Sequence, residues 1–235
     1  MSKMKIVAVV VALVAIVVFI AGFIFQPKEL TVSNGSGQTS VFRVGPGKDA
    51  AGGQIYSIST VTADATFDKE GKIISVHFDA LEVLSPNDSE HEGAPRFSGW
   101  PGQAGYLTAP ASTAEIAAKE VSEWQTKLER GDAAYGMNIS EQYAVYEEFF
   151  KGKTVTEVEA WFAKNTSDKN GRPLKANSTD PDEQAKYSQL TDEEKQVLAD
   201  VTSGASVSLK DAHGDFIGAL KKAYDSRAEV KIPVK

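Results

Sequence analysis

The chain has 235 residues, 42% of them apolar and 24% charged, which is enough to bury at least one full core. It contains no cysteine, which excludes disulfides, thiolate metal sites, a cysteine nucleophile and a lipid-modified N-terminal cysteine. Its three histidines, His77, His91 and His213, are too scattered to suggest a metal cluster. Past residue 25 the balance is 23 basic against 32 acidic side chains, and this excess of negative charge argues against nucleic acid as a partner.

Ile6 to Phe25 is an unbroken run of 20 uncharged residues. As a helix it would span about 30 Å, the hydrocarbon thickness of a bilayer. Lys3 and Lys5 precede it and no positive excess follows it, so the expected topology is a single-pass anchor with a cytoplasmic N-terminus and residues 26–235 outside the cell. The alternative is a cleaved signal peptide, whose apolar region is usually shorter and ends at small residues. Phe23, Ile24 and Phe25 fit that end poorly.

Residues 26–53 read as a spacer, because 31–53 is rich in Gly, Ser and Thr with few large apolar groups, and the folded domain is placed at 54–235. From Ile55 to Phe67 and from Ile73 to Leu84, apolar and polar residues alternate as in strands. Val61, Ala63, Ala65 and Phe67 share one face, as do Ile74, Val76, Phe78 and Ala80, with a hairpin turn at 68–72. Ser85 to Pro110 is a loop by its Pro and Gly content, yet it carries Phe97, Trp100 and Tyr106. Those rings either fold back onto the core or cover a planar ligand.

Helices follow. Ser112 with Glu115 reads as a capping box for a helix reaching Arg130, Ser140 as the cap of a second, Thr154 with Glu157 as a box for a third, and Thr191 with Glu194 as a box for a short helix ending near Ala199. The fold class expected is α+β, a twisted antiparallel sheet with flanking helices, in which the helices between 112 and 165 form an insertion or lid.

The segment Asp200-Val-Thr-Ser-Gly-Ala-Ser206 precedes apolar positions Leu209, Ala212, Phe216, Ala219, Leu220, Ala223 and Tyr224 at helical spacing, with Ser208 as the expected N-cap. A hydroxyl-rich turn at a helix N-terminus offers free N–H groups and the positive end of the dipole to a phosphate, and Gly204 lets the backbone approach it. Ser, Thr and Gly before a helix are equally ordinary caps and loop residues. His213 either reaches the ligand or simply caps the helix and faces solvent.

Asp200 to Ser206 resembles the flavin-attachment motif of FMN-binding domains, in which Asp, two variable or hydroxyl positions, Ser or Thr, Gly or Ser, Ala, and Thr or Ser lie ahead of a helix. Together with the hairpin, the SGWPGQ loop, the GKTVTEVEAWFAK helix and the HGD helix, residues 54–227 look like a group of Gram-positive, membrane-anchored FMN-binding proteins. A shorter likeness, of anchor and motif, is to the covalent-FMN subunits of the sodium-translocating NADH:quinone reductase and the Rnf complex. The resemblance implies that a flavin transferase, using FAD and Mg²⁺, joins FMN through its phosphate to the hydroxyl of Ser206, serine standing where threonine is commoner. It implies too that Asp200, Thr202, Ser203, Gly204 and Ala205 form the recognised motif. Given such a cofactor, the aromatic content of the 97–106 loop places Trp100, and after it Tyr106 or Phe97, near the flavin ring, and the position of His213 in the first turn of the expected helix puts it within reach of the phosphate or the flavin edge.

Three functions fit these features. The first is an electron carrier passing electrons from a membrane donor to an extracellular acceptor. The second is an extracellular flavin-dependent reductase with its own small substrate. The third is a non-redox, membrane-tethered binding domain in which the motif is merely a cap.

Overall fold

The computed structural model describes residues 28–106, 110–135, 138–210 and 213–234. The expected anchor at Ile6 to Phe25 lies outside them, and among the described residues no helix is long and apolar enough to cross a membrane. They divide into two compact units, residues 33–228 and a small one made of residues 28–32 with 229–234.

The fold is α+β. Strands β1 (Lys28–Lys48), β2 (Gln54–Phe67), β3 (Ile73–Leu84) and β4 (Ala228–Val234) form one sheet in the order β3-β2-β1-β4. The hairpin of β2 and β3 stands where alternation places it, antiparallel with Val61 opposite Ala80 and Ala63 opposite Phe78. Its turn closes when the Lys72 N–H donates to the Asp68 carboxylate at 2.8 Å. One face differs from expectation: the register shifts beside Phe67, so Ile73 is buried and Ile74 is 43% exposed.

β1 overturns the spacer. Ser33 to Val44 pairs antiparallel with Tyr56 to Phe67, so the folded domain begins well before Gln54. The glycines that read as flexible are small because a helix backbone lies on them. A Cβ on Gly35 would stand 1.9 Å from the Ala223 carbonyl oxygen, and one on Gly37 2.1 Å from that of Ala219.

Seven helices follow among the described residues: α1 (Ala114–Ser122), α2 (Lys127–Arg130), α3 (Ile139–Phe150), α4 (Val155–Asn165), α5 (Pro181–Ser188), α6 (Asp192–Gly204) and α7 (Phe216–Ser226). The boxes of Thr154 with Glu157 and of Thr191 with Glu194 are both formed, the second helix running past Ala199 to Gly204. Thr113, one residue beyond Ser112, caps α1, which stops at Ser122. Thr126 and Glu129 then make a separate box for α2. Asn138 precedes α3, and the Ser140 N–H donates instead to Asp132 at 3.0 Å.

A single large core lies between the inner sheet face and α3, α4 and α7. Val61, Phe67 and Phe78 pack there with Tyr143, Tyr146, Phe150, Phe162, Phe216 and Leu220. The helices from 139 to 165 are therefore core elements and no lid, because their aromatic stripes supply much of the buried volume.

Candidate functional site

The motif does not sit where the periodicity puts it. Asp200 to Gly204 form the last turn of α6, Ala205 is its C-cap, and the next helix starts only at Phe216. Ser208 is not its cap. Gly214, with φ +132, breaks the chain path before Asp215, whose carboxylate accepts the Gly218 N–H at 2.8 Å and starts α7. A Cβ on Gly214 would lie 2.4 Å from Val61 Cγ2, so glycine also seats this turn on the sheet. Leu209 is fully buried from within the loop, which is why it imitates a helical position. Ser206 thus follows the carboxyl end of one helix, not the amino end of the next.

α3 grips this segment instead. Gln142 Oε1 accepts the N–H groups of Ser206 at 2.9 Å and Val207 at 3.0 Å, and stands 3.4 Å from Ser206 Oγ. One turn on, the phenol of Tyr146 donates to the Val207 carbonyl at 3.0 Å, and burial pushes that phenol's pKa up. Between them Val145 lies against Gly204, where a Cβ would be 2.8 Å from Val145 Cγ2. Residues 142, 145 and 146 share one face of α3 at the i, i+3, i+4 spacing.

The motif's side chains divide by exposure. Ala205 is buried in the core, whereas Asp200, Ser203 and Ser206 are exposed and Thr202 is half-buried. Asp200 accepts from Gln196 at 2.8 Å, and the hydroxyls of Thr202 and Ser203 donate back to the Ala199 and Asp200 carbonyls. Asp200, Ser203 and the Ser206 hydroxyl therefore face solvent.

Directly after Ser206 the chain enters a cavity of about 340 Å³, lined by Val207, Ser208 and His213 among others. Its floor is the inner sheet face, where Glu82 lies between Arg43 at 3.2 Å and Lys127 at 3.4 Å and accepts from Ser57 at 3.0 Å. Burial alone would raise the Glu82 pKa, but Lys127, Arg43 and the Ser57 hydroxyl together hold it below the usual carboxylate range. Asp79 accepts the Leu128 N–H at 3.2 Å, fixing α2 so that Lys127 and Arg130 reach the cavity. Arg172 comes from a turn that packs on the 208–210 segment. Leu84, Ala94, Ile139, Tyr143 and Phe216 complete an apolar wall. His213 is half-buried, and its pKa falls to about 4, first through burial and then through Arg43 and Lys127, so the ring is neutral at pH 7.

The structure therefore brings His213 to the segment after Ser206 and leaves Trp100 elsewhere. Trp100 is 72% exposed, edge-on to Phe97 at 5.3 Å, and Phe97 in turn meets Trp124. Tyr106 donates to the Gln54 carbonyl and packs on Tyr56. None of the loop's three aromatics lines the cavity. The same loop contributes Ala94 and His91, held by buried Asp88, which accepts from Arg96 at 3.1 Å and pairs with His91 at 2.8 Å. Sequence reasoning missed Gln142, Tyr146 and the cationic residues. The box at Thr126 marks α2, but no local pattern says that α2 ends at a cavity.

A group with a phosphate and a flat ring fits these residues. The hydroxyl is exposed, its backbone is clamped, and among the described residues the adjoining cavity is lined by Arg43, Lys127, Arg130 and Arg172 together with Glu82, beside an apolar wall. The volume falls in the usual range of cofactor sites, roughly 300 to 1,000 Å³. Among the described residues no group of His, Asp and Glu is placed to hold a metal ion.

No family model matches the chain, and no solved structure matches it. It is similar to a curated protein named chlorophenol reductase, from Desulfitobacterium hafniense, with 43% identity over 187 residues, 74% of this chain and 53% of that protein. The chain spans about half the length of this relative.

Proposed function

We propose that this chain is a membrane-anchored, extracytoplasmic flavoprotein that carries electrons through FMN joined by a phosphoester to Ser206. The observation that carries this reading is the complete motif ending at an exposed hydroxyl, one residue ahead of an apolar-walled cavity whose lining includes Arg43, Lys127, Arg130 and Arg172. The likeness to a protein named a reductase supports an electron-transfer role. When bound, FMN supplies one- and two-electron redox chemistry at its ring.

The chain's own residues do the placing. Gln142 and Tyr146 fix the backbone on both sides of the Ser206 hydroxyl, so that the attachment point presents itself to a flavin transferase without having to be ordered first. The apolar wall excludes water, and the cations compensate the anion that α6, through its carboxyl end, disfavours. A membrane donor and an extracellular acceptor complete the path, with Ile6 to Phe25 as the anchor.

A second reading, a reductase acting on its own small aromatic substrate, is favoured by the relative's name. Turnover of a chlorophenol by the flavin-loaded protein without a partner would establish it.

Coexpression with a flavin transferase, followed by peptide mapping, tests the main reading. FMN is expected on the peptide containing Ser206 and absent from Ser206→Ala. Covalent flavin persisting in Ser206→Ala would overturn the assignment. Protease added to intact cells should remove residues 33–228, and protection of that unit in accessible cells would overturn the orientation.

A further inference from the structure

His91 and His213 both line the cavity, in opposite settings. His213 is half-buried, and burial before all else takes its basicity away. His91 keeps 44% of its side chain exposed and has the fully buried carboxylate of Asp88 behind it, with Nδ1 and Oδ1 2.8 Å apart. Burial alone would raise the Asp88 pKa, but His91, the Glu90 N–H and Arg96 hold it below its ordinary value. An ionised carboxylate only accepts, so Nδ1 carries the proton and the lone pair of the neutral ring stands at Nε2. Nε2 has no hydrogen-bond partner among the described residues. The ring is not what closes its loop. Arg96 donates to the Asp88 and His91 carbonyls at 3.1 and 2.9 Å, the His91 N–H donates to Asp88 at 3.3 Å, and the Leu84 N–H donates to the Pro95 carbonyl at 2.8 Å. An imidazole oriented by a carboxylate, with a spare acceptor at a cavity wall and part of its surface in water, has the arrangement of a general base.

We infer that His91 is the proton acceptor of this cavity, taking through Nε2 an N–H proton from the ring of the Ser206-linked FMN as electrons leave that ring, with Asp88 as the positioning residue that fixes its tautomer. The inference rests on the proposed attachment and deepens it by seating the ring in the cavity that opens at Val207 and giving its proton a route out. An extracellular one-electron oxidant, two equivalents per ring, takes electrons alone, so the proton has to leave through the protein. One N–H bond of the ring breaks and one Nε2–H bond forms on the imidazole lone pair, while Nδ1–H stays on Asp88. The imidazolium then returns its Nε2 proton to solvent at the exposed part of the ring, and the other proton of a fully protonated flavin is lost to solvent directly.

Nitrogen NMR of the full chain, isotope-labelled in histidine, reads the tautomer, the His91 signals being identified by their loss in His91→Ala. The neutral His91 ring is expected to be protonated at Nδ1 alone, and Asp88→Asn, whose amide donates to Nδ1, should move the proton to Nε2. A neutral ring already protonated at Nε2 in the native protein would overturn the inference. Stopped-flow oxidation of the reduced, flavin-loaded chain by ferricyanide reads the transfer, after mass spectrometry has located the flavin. His91→Ala should slow it about a hundredfold, and added imidazole should restore it. A native rate in His91→Ala, or a slow rate that imidazole leaves unchanged, would overturn the inference while the adduct stands. No adduct on Ser206 would overturn both this inference and the reading beneath it.

Discussion

The main-chain carbonyl oxygen of Ala219 occupies the space where a side chain at Gly37 would begin, 2.1 Å from the position of a Cβ. α7 therefore lies directly on the backbone of β1, and its polar ties follow from that closeness. Lys222 donates to the Gln38 carbonyl at 2.8 Å and Ser226 to the Ser36 carbonyl at 2.8 Å. Because the obstacle is backbone, no rotamer change relieves it. Gly37→Ala is expected to destabilise the fold by about 3 kcal/mol. In a domain of this size that lowers the thermal midpoint by roughly 6 to 12 °C. Ser36→Ala, whose side chain is exposed, should leave the midpoint unchanged. Equal midpoints for Gly37→Ala and the native protein in a thermal melt would show that helix and strand separate at no cost.

Gln142 accepts both the Ser206 and the Val207 N–H groups at the proposed attachment point. Gln142→Ala should leave the half-buried Val207 N–H without an acceptor, at a cost of roughly 1 to 3 kcal/mol, and should slow flavin attachment to Ser206. Gln142→Glu keeps the acceptor and the length, so stability should return, but a carboxylate beside a phosphoester repels it and attachment should stay slow. Thermal melts paired with a mass time course separate the two effects. Normal attachment in Gln142→Ala would show that the clamp serves the fold alone.

The histidine in the cavity makes stability depend on pH in a definite direction. Its pKa drops from 6.5 to about 4 on folding, so between these values the unfolded chain binds the proton more tightly. Stability from the neutral ring is complete above pH 6.5 and declines as pH falls toward 4. His213→Gln removes that liability and should flatten the decline, by about 1 kcal/mol at pH 5 once solvent screening of a half-buried group is allowed for. Urea unfolding at pH 5 and pH 7 measures it. Identical pH dependence in both proteins would place the ring in solvent.

Two aromatic candidates for a neighbour of the proposed flavin are separated by position. Tyr143 lines the cavity next to Ile139 and Phe216, whereas Trp100 stands 72% exposed on its loop. With the ring in the cavity, Tyr143→Leu should brighten flavin fluorescence by removing an electron-rich quencher, and Trp100→Ala should leave it alone. The reverse pattern would seat the ring on the loop, as the aromatic content of that loop first suggests.

Local signals were legible in the sequence. The period-two alternation of 55–67 and 73–84 needs only neighbouring residues to define it, and the boxes at Thr154 and Thr191 close within three residues, so each survives whatever packs around it. The run that resembles a flavin-attachment motif is equally local, seven residues ending at Ser206. Tertiary structure decided what those signals leave open. Gly35 and Gly37 have the composition of a linker, and only the approach of α7 makes them a strand, since the absence of a side chain looks the same in a flexible segment and in a tight contact. Leu209 keeps helical spacing while lying in a loop, because burial from a different direction satisfies the same apolar pattern. The cavity draws Arg43, Glu82, Lys127, Arg172 and His213 from positions spread over 171 residues of chain, and their shared field exists only once folding gathers them around one cavity. Charge acts through space, and no spacing along the chain encodes that distance.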